Sequence, residues 1–195
     1  WDHDIDFAVW DCEITKDKII KIFFENGYEE EKIFGDMDCL HFIGKNKKID
    51  VSFYKSDSQI SSIKWAISPN SFISKILLYC IRIIWVGSDK NVKKFDNYFM
   101  KVTQIILNKA SLVIAIFLPK TFKKILFNFG INMLDYIGYS YPNDLMKFRV
   151  IEYNNTKIKI PFDAEKCLEL TYGKDWKTPK KKYVWHEEAE NLIEF

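Results

Sequence analysis

The stretch WDHDIDFAV, residues 1–9, decides how we interpret this chain. Its acidic residues stand at alternate positions, as Asp2, Asp4 and Asp6. In an extended strand, alternate side chains lie on one face, about 7 Å apart along the backbone. Ile5, Phe7 and Val9 then lie on the other face, where we expect them to anchor the strand in a core. The pattern therefore predicts a buried strand over residues 5–9 with a row of carboxylates along one face.

A further acidic residue lies in the middle of another predicted strand. Residues 48–55 alternate cleanly, so that Ile49 and Val51 face one way and Asp50 faces the other. If this strand pairs next to the first, Asp50 comes to the same edge of the sheet as Asp4 and Asp6. Carboxylates this close repel one another unless a cation lies between them, and such oxygen clusters suit Mg²⁺ or Mn²⁺. We therefore predict a metal site of Asp4, Asp6 and Asp50, with Asp2 as a weaker candidate at the strand entrance.

The residues between these two strands predict a helix and a hairpin. After Asp11, apolar residues recur at helical spacing as Ile19, Ile20, Phe23 and Phe24. Gly27 then stands where a helix end favours a left-handed residue. Residues 39–43 form another apolar run, and residues 44–47 are typical of a turn. The sequence therefore predicts an α+β fold whose mixed sheet has an acidic edge and is flanked by a mostly helical remainder.

The middle of the chain is apolar and predicts helices. Residues 73–86 and 102–118 have helical character, but polar residues interrupt both, and neither has the roughly 18 clean apolar residues that a membrane span needs. Residues 119–127 predict an amphipathic helix with several lysines. Such a helix packs on the core with its lysines in water, or it contacts a membrane surface peripherally.

The end of the chain has clearer signals. Residues 157–160 predict a short strand, and Asp163 is a candidate N-cap for a helix that stops at Gly173. A turn over residues 175–179 follows, and then a terminal helix that includes Leu192 and Ile193. Near this turn, several lysines are candidates to contact a donor phosphate or a glycan, unless they form a solvated basic tail. The candidate residues here are Lys174, Lys177 and the neighbouring Trp176.

Several of these stretches together resemble the LicD/fukutin family. Residues 1–9 resemble its WDxDID signature, and residues 48–54 resemble its second acidic strand. Near the other end, residues 160–179, IPFDAEKCLELTYGKDWKTP, resemble its closing motif. The resemblance covers residues 1–55 and 148–186 and does not include the middle of the chain.

The resemblance implies a nucleotidyltransferase fold and a specific reaction. In that reaction a phospho-alcohol, such as choline phosphate or ribitol phosphate, moves from a CDP-linked donor to a hydroxyl of a glycan. Asp4 and Asp6 would be metal ligands, and Asp50 a third ligand or the base for the acceptor hydroxyl. The family pattern also includes a Gly-rich stretch before the tryptophan that helps to hold the donor phosphates. We therefore expect further sequence upstream of Trp1.

Composition and motif spacing leave few other classes open. The 195 residues suffice for one domain, so we interpret residues 1–195 as a single catalytic domain. A net charge of +2 does not indicate a nucleic-acid-binding protein, and four widely spaced cysteines favour free thiols over a zinc site. A metal-dependent phosphohydrolase of the HD type would need more histidines than His3, His41 and His186.

Two alternative functions remain open at this point. One is a non-catalytic module that keeps the fold and binds a glycan or a partner. The other is a DxD glycosyltransferase that uses a nucleotide sugar directly. The compartment is also open, between the cytoplasm or a membrane periphery if the protein is bacterial and the Golgi lumen if it is eukaryotic.

Overall fold

The computed structural model of the chain describes residues 4–67, 69, 71–87, 98–178, 180 and 183–195. The first part alternates strands with one helix: β1 Asp4–Trp10, α1 Lys16–Glu25, β2 Glu29–Glu31, β3 Cys39–Gly44, β4 Lys47–Ser56 and β5 Ile60–Ile67. Three helices follow: α2 Phe72–Val86, α3 Tyr98–Phe117 and α4 Lys120–Ile131. The last part contains β6 Asp135–Pro142, β7 Phe148–Tyr153, β8 Thr156–Pro161, α5 Ala164–Tyr172, α6 Trp185–Glu188 and β9 Leu192–Glu194. The predicted α+β class is therefore confirmed.

The chain divides into two compact units. One unit contains residues 1–66 and 136–195 and is called the sheet unit here; residues 67–135 form the other, called the helical unit. The interpretation of residues 1–195 as one catalytic domain stays a prediction.

A seven-stranded sheet organises the sheet unit. Its strands follow the order β2-β3-β4-β5-β6-β9, and β1 pairs with β4 off this path. The β1–β4 pair is parallel, whereas β3 pairs antiparallel with both β2 and β4. The predicted pairing of the second acidic strand next to the first is therefore confirmed. The strands β7 and β8 form a separate antiparallel hairpin.

Helix α1 covers one face of the sheet. The core of the sheet unit lies between this helix and the strands. The buried core residues are Ile19, Leu40, Phe42, Ile49, Val51 and Phe53. The ring of Phe23 stacks on that of Phe42 with centroids 4.2 Å apart. The alternation of β4 thus places its apolar residues under α1 and leaves Asp50 on the opposite face.

The predicted burial of β1 is correct only in part. Val9 packs against the core, but Ile5 and Phe7 are exposed. The reason is that α1 packs over the interior strands β3 and β4 and covers only the end of β1 that contains Val9.

The end of the chain confirms one predicted helix and corrects another. The side chain of Asp163 accepts a hydrogen bond from the backbone N–H of Lys166, and α5 ends at Gly173 with φ of +83°. Leu192 and Ile193, by contrast, lie in a strand, so the predicted terminal helix over them is wrong. An apolar pair this short has no helical period, and its partners in β6 are more than fifty positions away.

Gly138 in β6 marks a close approach of two strands. A Cβ atom there would lie 1.8 Å from the carbonyl oxygen of Ile63. We expect Gly138→Ala to destabilise the protein by about 1–3 kcal/mol, since two backbones would have to separate. Urea unfolding measures this, with Ser140→Ala in the same strand as the control and an expected change within about 0.5 kcal/mol. Equal stability of both variants would contradict the close approach.

In the helical unit, α2 packs against both α3 and α4. The hydroxyl of Tyr79 donates a hydrogen bond to the side-chain oxygen of Asn108 in α3, and Trp85 contacts Phe127 of α4 with ring centroids 4.3 Å apart. Among the described residues, no helix combines the length and apolar character that crossing a membrane requires.

Candidate active site

A row of polar side chains crosses three strands on the face opposite α1. The parallel register of β1 and β4 pairs Asp6 with Asp50, and the antiparallel register of β3 and β4 pairs His41 with Asp50. Neighbouring strands lie about 4.8 Å apart, so residues paired in this way have adjacent side chains on the same face. The sheet therefore brings Asp6 and Asp50 together, as the sequence predicted, and adds a histidine beside them.

His41 is held between two carboxylates. Its Nδ1 lies 2.9 Å from Oδ1 of Asp50, and its Nε2 lies 2.9 Å from Oδ2 of Asp36. Ionised carboxylates only accept hydrogen bonds, so a histidine bound to two of them must donate from both ring nitrogens. His41 is therefore an imidazolium cation with both of its N–H groups used.

The pKa of His41 agrees with this assignment. Burial is the largest single influence and favours the neutral ring. The hydrogen bonds to Asp36 and Asp50, with smaller contributions from Cys39, together outweigh burial and raise the pKa to about 11.

A second cation lies beside the other oxygen of Asp50. The Nζ atom of Lys48 is 3.5 Å from Oδ2 of Asp50, while Oδ1 accepts from His41. Asp36 is fixed in turn because its Oδ1 accepts from the backbone N–H of Ala66 at 3.3 Å. Asp50 is thus oriented by His41 through Oδ1, while its Oδ2 lies beside the ammonium group of Lys48.

Asp6 and Asp50 both line a cleft of about 610 Å³ within the sheet unit. The rest of its lining is strongly aromatic and includes Tyr54, Trp65, Tyr139, Tyr141, Tyr172 and Tyr183. Burial raises the pKa of Tyr54, Tyr139 and Tyr141 above that of a free tyrosine. Their hydroxyl groups therefore stay protonated at neutral pH and can donate hydrogen bonds. The cleft combines carboxylates at one side with flat rings and hydroxyl groups around them.

Asp6 also lines a second cleft, of about 520 Å³. This cleft shares Tyr54 and Tyr141 with the first and adds Glu13 and Lys159. Asp6 is therefore the carboxylate common to both spaces, with an acidic and a basic side chain lining the second one. The sequence analysis had assigned no role to either of these residues.

The carboxylates fit a hard divalent cation only when other ligands complete the site. Within the described part of the chain, no three His, Cys, Asp or Glu side chains are grouped so that they could hold a metal ion by themselves. Asp2 lies outside the described residues, and so does the side chain of Asp4, whose backbone pairs with Lys48. Mg²⁺ in phosphate-transfer sites commonly takes one or two carboxylates and completes its shell with water and substrate phosphates. Asp6 and Asp50 suit that kind of site.

The remaining predicted contacts lie in a different groove. Lys174, Trp176 and Lys177 line a groove of about 420 Å³ together with acidic residues of α5 and its N-cap. There the Nζ atom of Lys177 lies 3.4 Å from Glu165 and 5.0 Å from the centroid of the Trp176 ring. Their assignment to a donor phosphate or a glycan stays a prediction.

His41 lies in the candidate site beside Asp50, and the sequence analysis did not place it there. The sequence did contain a signal for this position, the predicted turn over residues 44–47, in which Lys45 and Asn46 adopt positive φ of 50° and 59°. A two-residue turn of this kind fixes Gly44 opposite Lys47, and counting back along both strands places His41 opposite Asp50. The position of the turn therefore sets the register of β3 and β4, which pairs His41 with Asp50.

Comparisons of the chain with protein-family models, with curated proteins and with solved structures gave no match.

Proposed function

We propose that the sheet unit is a metal-dependent phosphotransferase of the nucleotidyltransferase type. It transfers a phospho-alcohol from a CDP-linked donor to a hydroxyl group of a glycan. The observation that supports this most is the register of Asp6 with Asp50 on adjacent parallel strands, at the side of one aromatic cleft. The donor class comes from the resemblance of residues 1–9, 48–54 and 160–179 to the LicD/fukutin motifs.

In this proposal each described group has a role that its position permits. Asp6 and Asp50 would hold Mg²⁺ or Mn²⁺, which would supply positive charge to neutralise the donor diphosphate. His41 keeps Asp50 in one orientation, and Lys48 places a positive charge beside Oδ2 of Asp50. The second cleft, which Asp6 also lines, is large enough for a second reactant to approach Asp6.

The aromatic lining suits the organic parts of both substrates. Flat rings such as Trp65 stack on a nucleobase or on the apolar face of a sugar. Protonated hydroxyls such as that of Tyr139 donate to phosphate or sugar oxygens. Binding of this type orients the reactants and excludes water, and orientation supplies a large part of the rate in phosphoryl transfer.

The experiment is metal-dependent release of CMP from a panel of donors by the full protein. The panel contains CDP-choline, CDP-ribitol and CDP-glycerol, with a glycan acceptor, and UDP-glucose to detect a nucleotide-sugar transferase. We expect release from one CDP-alcohol in the presence of Mg²⁺ or Mn²⁺ and its loss in Asp50→Asn. That result would identify the reaction class and the donor together.

Other outcomes would replace the proposal with a named alternative. Turnover of UDP-glucose alone would indicate a glycosyltransferase. If no CMP is released although metal binds, the CDP-alcohol assignment is rejected and another nucleotide donor is indicated. If no CMP is released and no metal binds, the non-catalytic module is favoured, with the aromatic cleft as its glycan-binding surface.

A further inference from the structure

Helix α3 buries polar residues and exposes apolar ones, which is the reverse of a helix on the surface of a water-soluble domain. The residues that it buries are polar or small, and they recur at helical spacing as Gln104, Ser111 and Ala115. Gln104 and Ser111 are exposed by only 6% and 3%. Asn108 lies on the same side, where it accepts a hydrogen bond from Tyr79 of α2. The helix therefore packs against its neighbour through small and polar groups, which is the packing that helices in lipid commonly use.

The opposite side of α3 is apolar and exposed. Its exposed large residues are Val102, Ile105, Ile106, Val113, Ile114, Ile116 and Phe117. At the end of the helix, Ile116 and Phe117 are exposed by 76% and 79%. Contiguous apolar surface of this kind is rare on proteins that are surrounded by water alone.

Helix α4 continues this apolar surface. Phe122, Ile125 and Phe129 stand at positions i, i+3 and i+7, which places them on one side of the helix, and all three are exposed. The opposite side contains the buried Gly130 and packs toward α2, where Phe127 meets Trp85. The side of α4 that faces α2 is covered within the helical unit, whereas the side with Phe122, Ile125 and Phe129 is not.

The charge of the same surface has one sign. Residues 98–134 contain five lysines and no aspartate or glutamate. Lys120 and Lys124 are exposed on α4, two positions before and after Phe122. Lysines placed in this way extend along apolar surface and keep their ammonium groups in the polar layer.

We propose that α3 and α4 form a peripheral docking surface for an anionic lipid bilayer, with Ile116, Phe117, Phe122 and Ile125 entering the interface. An anionic headgroup layer complements the lysines, and the acyl boundary accepts the apolar side chains. A second copy of the chain is a poorer occupant, because two surfaces with the same positive charge repel each other. This inference is independent of the reaction proposed for the sheet unit.

The experiment is flotation of the full chain with two kinds of vesicle. One contains phosphatidylcholine only, and the other contains phosphatidylcholine mixed with phosphatidylglycerol. We expect binding to the mixed vesicles, weaker binding to the neutral ones, and release by salt. Lys120→Gln together with Lys124→Gln should weaken binding to the mixed vesicles at least about tenfold, since each lysine near an anionic surface contributes about fivefold.

Matched phenylalanine variants test whether vesicle binding depends on α3 and α4 in particular or on any exposed apolar side chain. Phe117→Ser with Phe122→Ser should weaken vesicle binding at least about tenfold, because both side chains enter the interface. The control is Phe24→Ser with Phe162→Ser, two residues of the sheet unit that are exposed by 73% and 66%. Circular dichroism checks that each variant is folded.

Three results would overturn the proposal. The first is absence of binding to either kind of vesicle. The second is an equal loss of binding in the control pair. The third is light scattering that detects a dimer which Phe117→Ser with Phe122→Ser dissociates, since that would assign the surface to a second copy.

Discussion

Asp6→Asn is expected to abolish transfer and leave the protein folded. Asp6 pairs with Asp50 in the sheet and lines both clefts, so its carboxylate is the ligand most central to the proposed site. Asparagine keeps the shape of the side chain but removes its negative charge. A bound metal ion contributes several kcal/mol of charge stabilisation, so its loss corresponds to a reduction of roughly a thousandfold in rate. The measurement is CMP release at saturating Mn²⁺, together with Mn²⁺ binding by calorimetry.

The stability of Asp6→Asn shows whether Asp6 is a metal ligand or a residue that stabilises the fold. Asp6 is exposed, and asparagine in its place removes a negative charge next to Asp50. We therefore expect the free energy of unfolding without metal to change by less than about 1 kcal/mol. Asp17→Asn is the matched control, because this exposed residue lies on α1, which packs on the opposite face of the sheet. Activity near the wild-type level in Asp6→Asn would remove the metal site from the proposal.

The parts of the fold that could be predicted from the sequence depend on local signals. Alternation along β4 and the apolar spacing of α1 are visible within ten residues each, and both elements are where they were expected. The ends of α5 were predictable because Asp163 caps its first turn and Gly173 adopts the positive φ at its end. The pairing of β1 with β4 was stated only as a condition of the predicted site, because α1, β2 and β3 lie between these strands in the chain and no local pattern fixes it.

The parts that could not be predicted depend on contacts between distant positions. The cleft receives Tyr139 from β6 and Tyr183 from the last part of the chain, and no local pattern places either of them near Asp50. The strand β9 forms because β6 offers it an unpaired edge, whereas a sequence of three residues alone favours no particular structure. Exposure of Ile5 and Phe7 likewise reflects how far α1 extends over the sheet, which their own alternation does not indicate.

The Asp36–His41–Asp50 arrangement explains why a row of carboxylates is stable before any substrate binds. Side chains of Asp36 and Asp50 are only 10% and 17% exposed, and His41 places one positive charge between them. The imidazolium offsets repulsion that a metal ion would otherwise have to relieve. The carboxylates of Asp36 and Asp50 therefore keep their orientation without a ligand.

His41→Gln is expected to destabilise the protein strongly at neutral pH. Removal of one partner from a buried ion pair costs about 3–5 kcal/mol, because the remaining charge stays buried without compensation. Here two carboxylates would lose the same cation, and glutamine can donate from only one end of its side chain. Chemical denaturation in metal-free buffer at pH 7 measures the difference. His186→Gln is the control, and we expect it to change stability by less than about 0.5 kcal/mol, since this histidine is exposed.

The pH dependence of that difference tests the charge on His41 directly. Its pKa is raised from 6.5 to about 11 in the folded protein, so the folded state binds a proton that the unfolded state releases above pH 6.5. The stabilisation is therefore complete below pH 6.5 and is lost as the pH rises toward 11. Between pH 7 and pH 10 the advantage of the wild type over His41→Gln should shrink by up to about 1.4 kcal/mol per pH unit. A difference that stays constant over this range would mean that His41 is neutral in the folded protein, and Asp50 would then lack the cation that orients it.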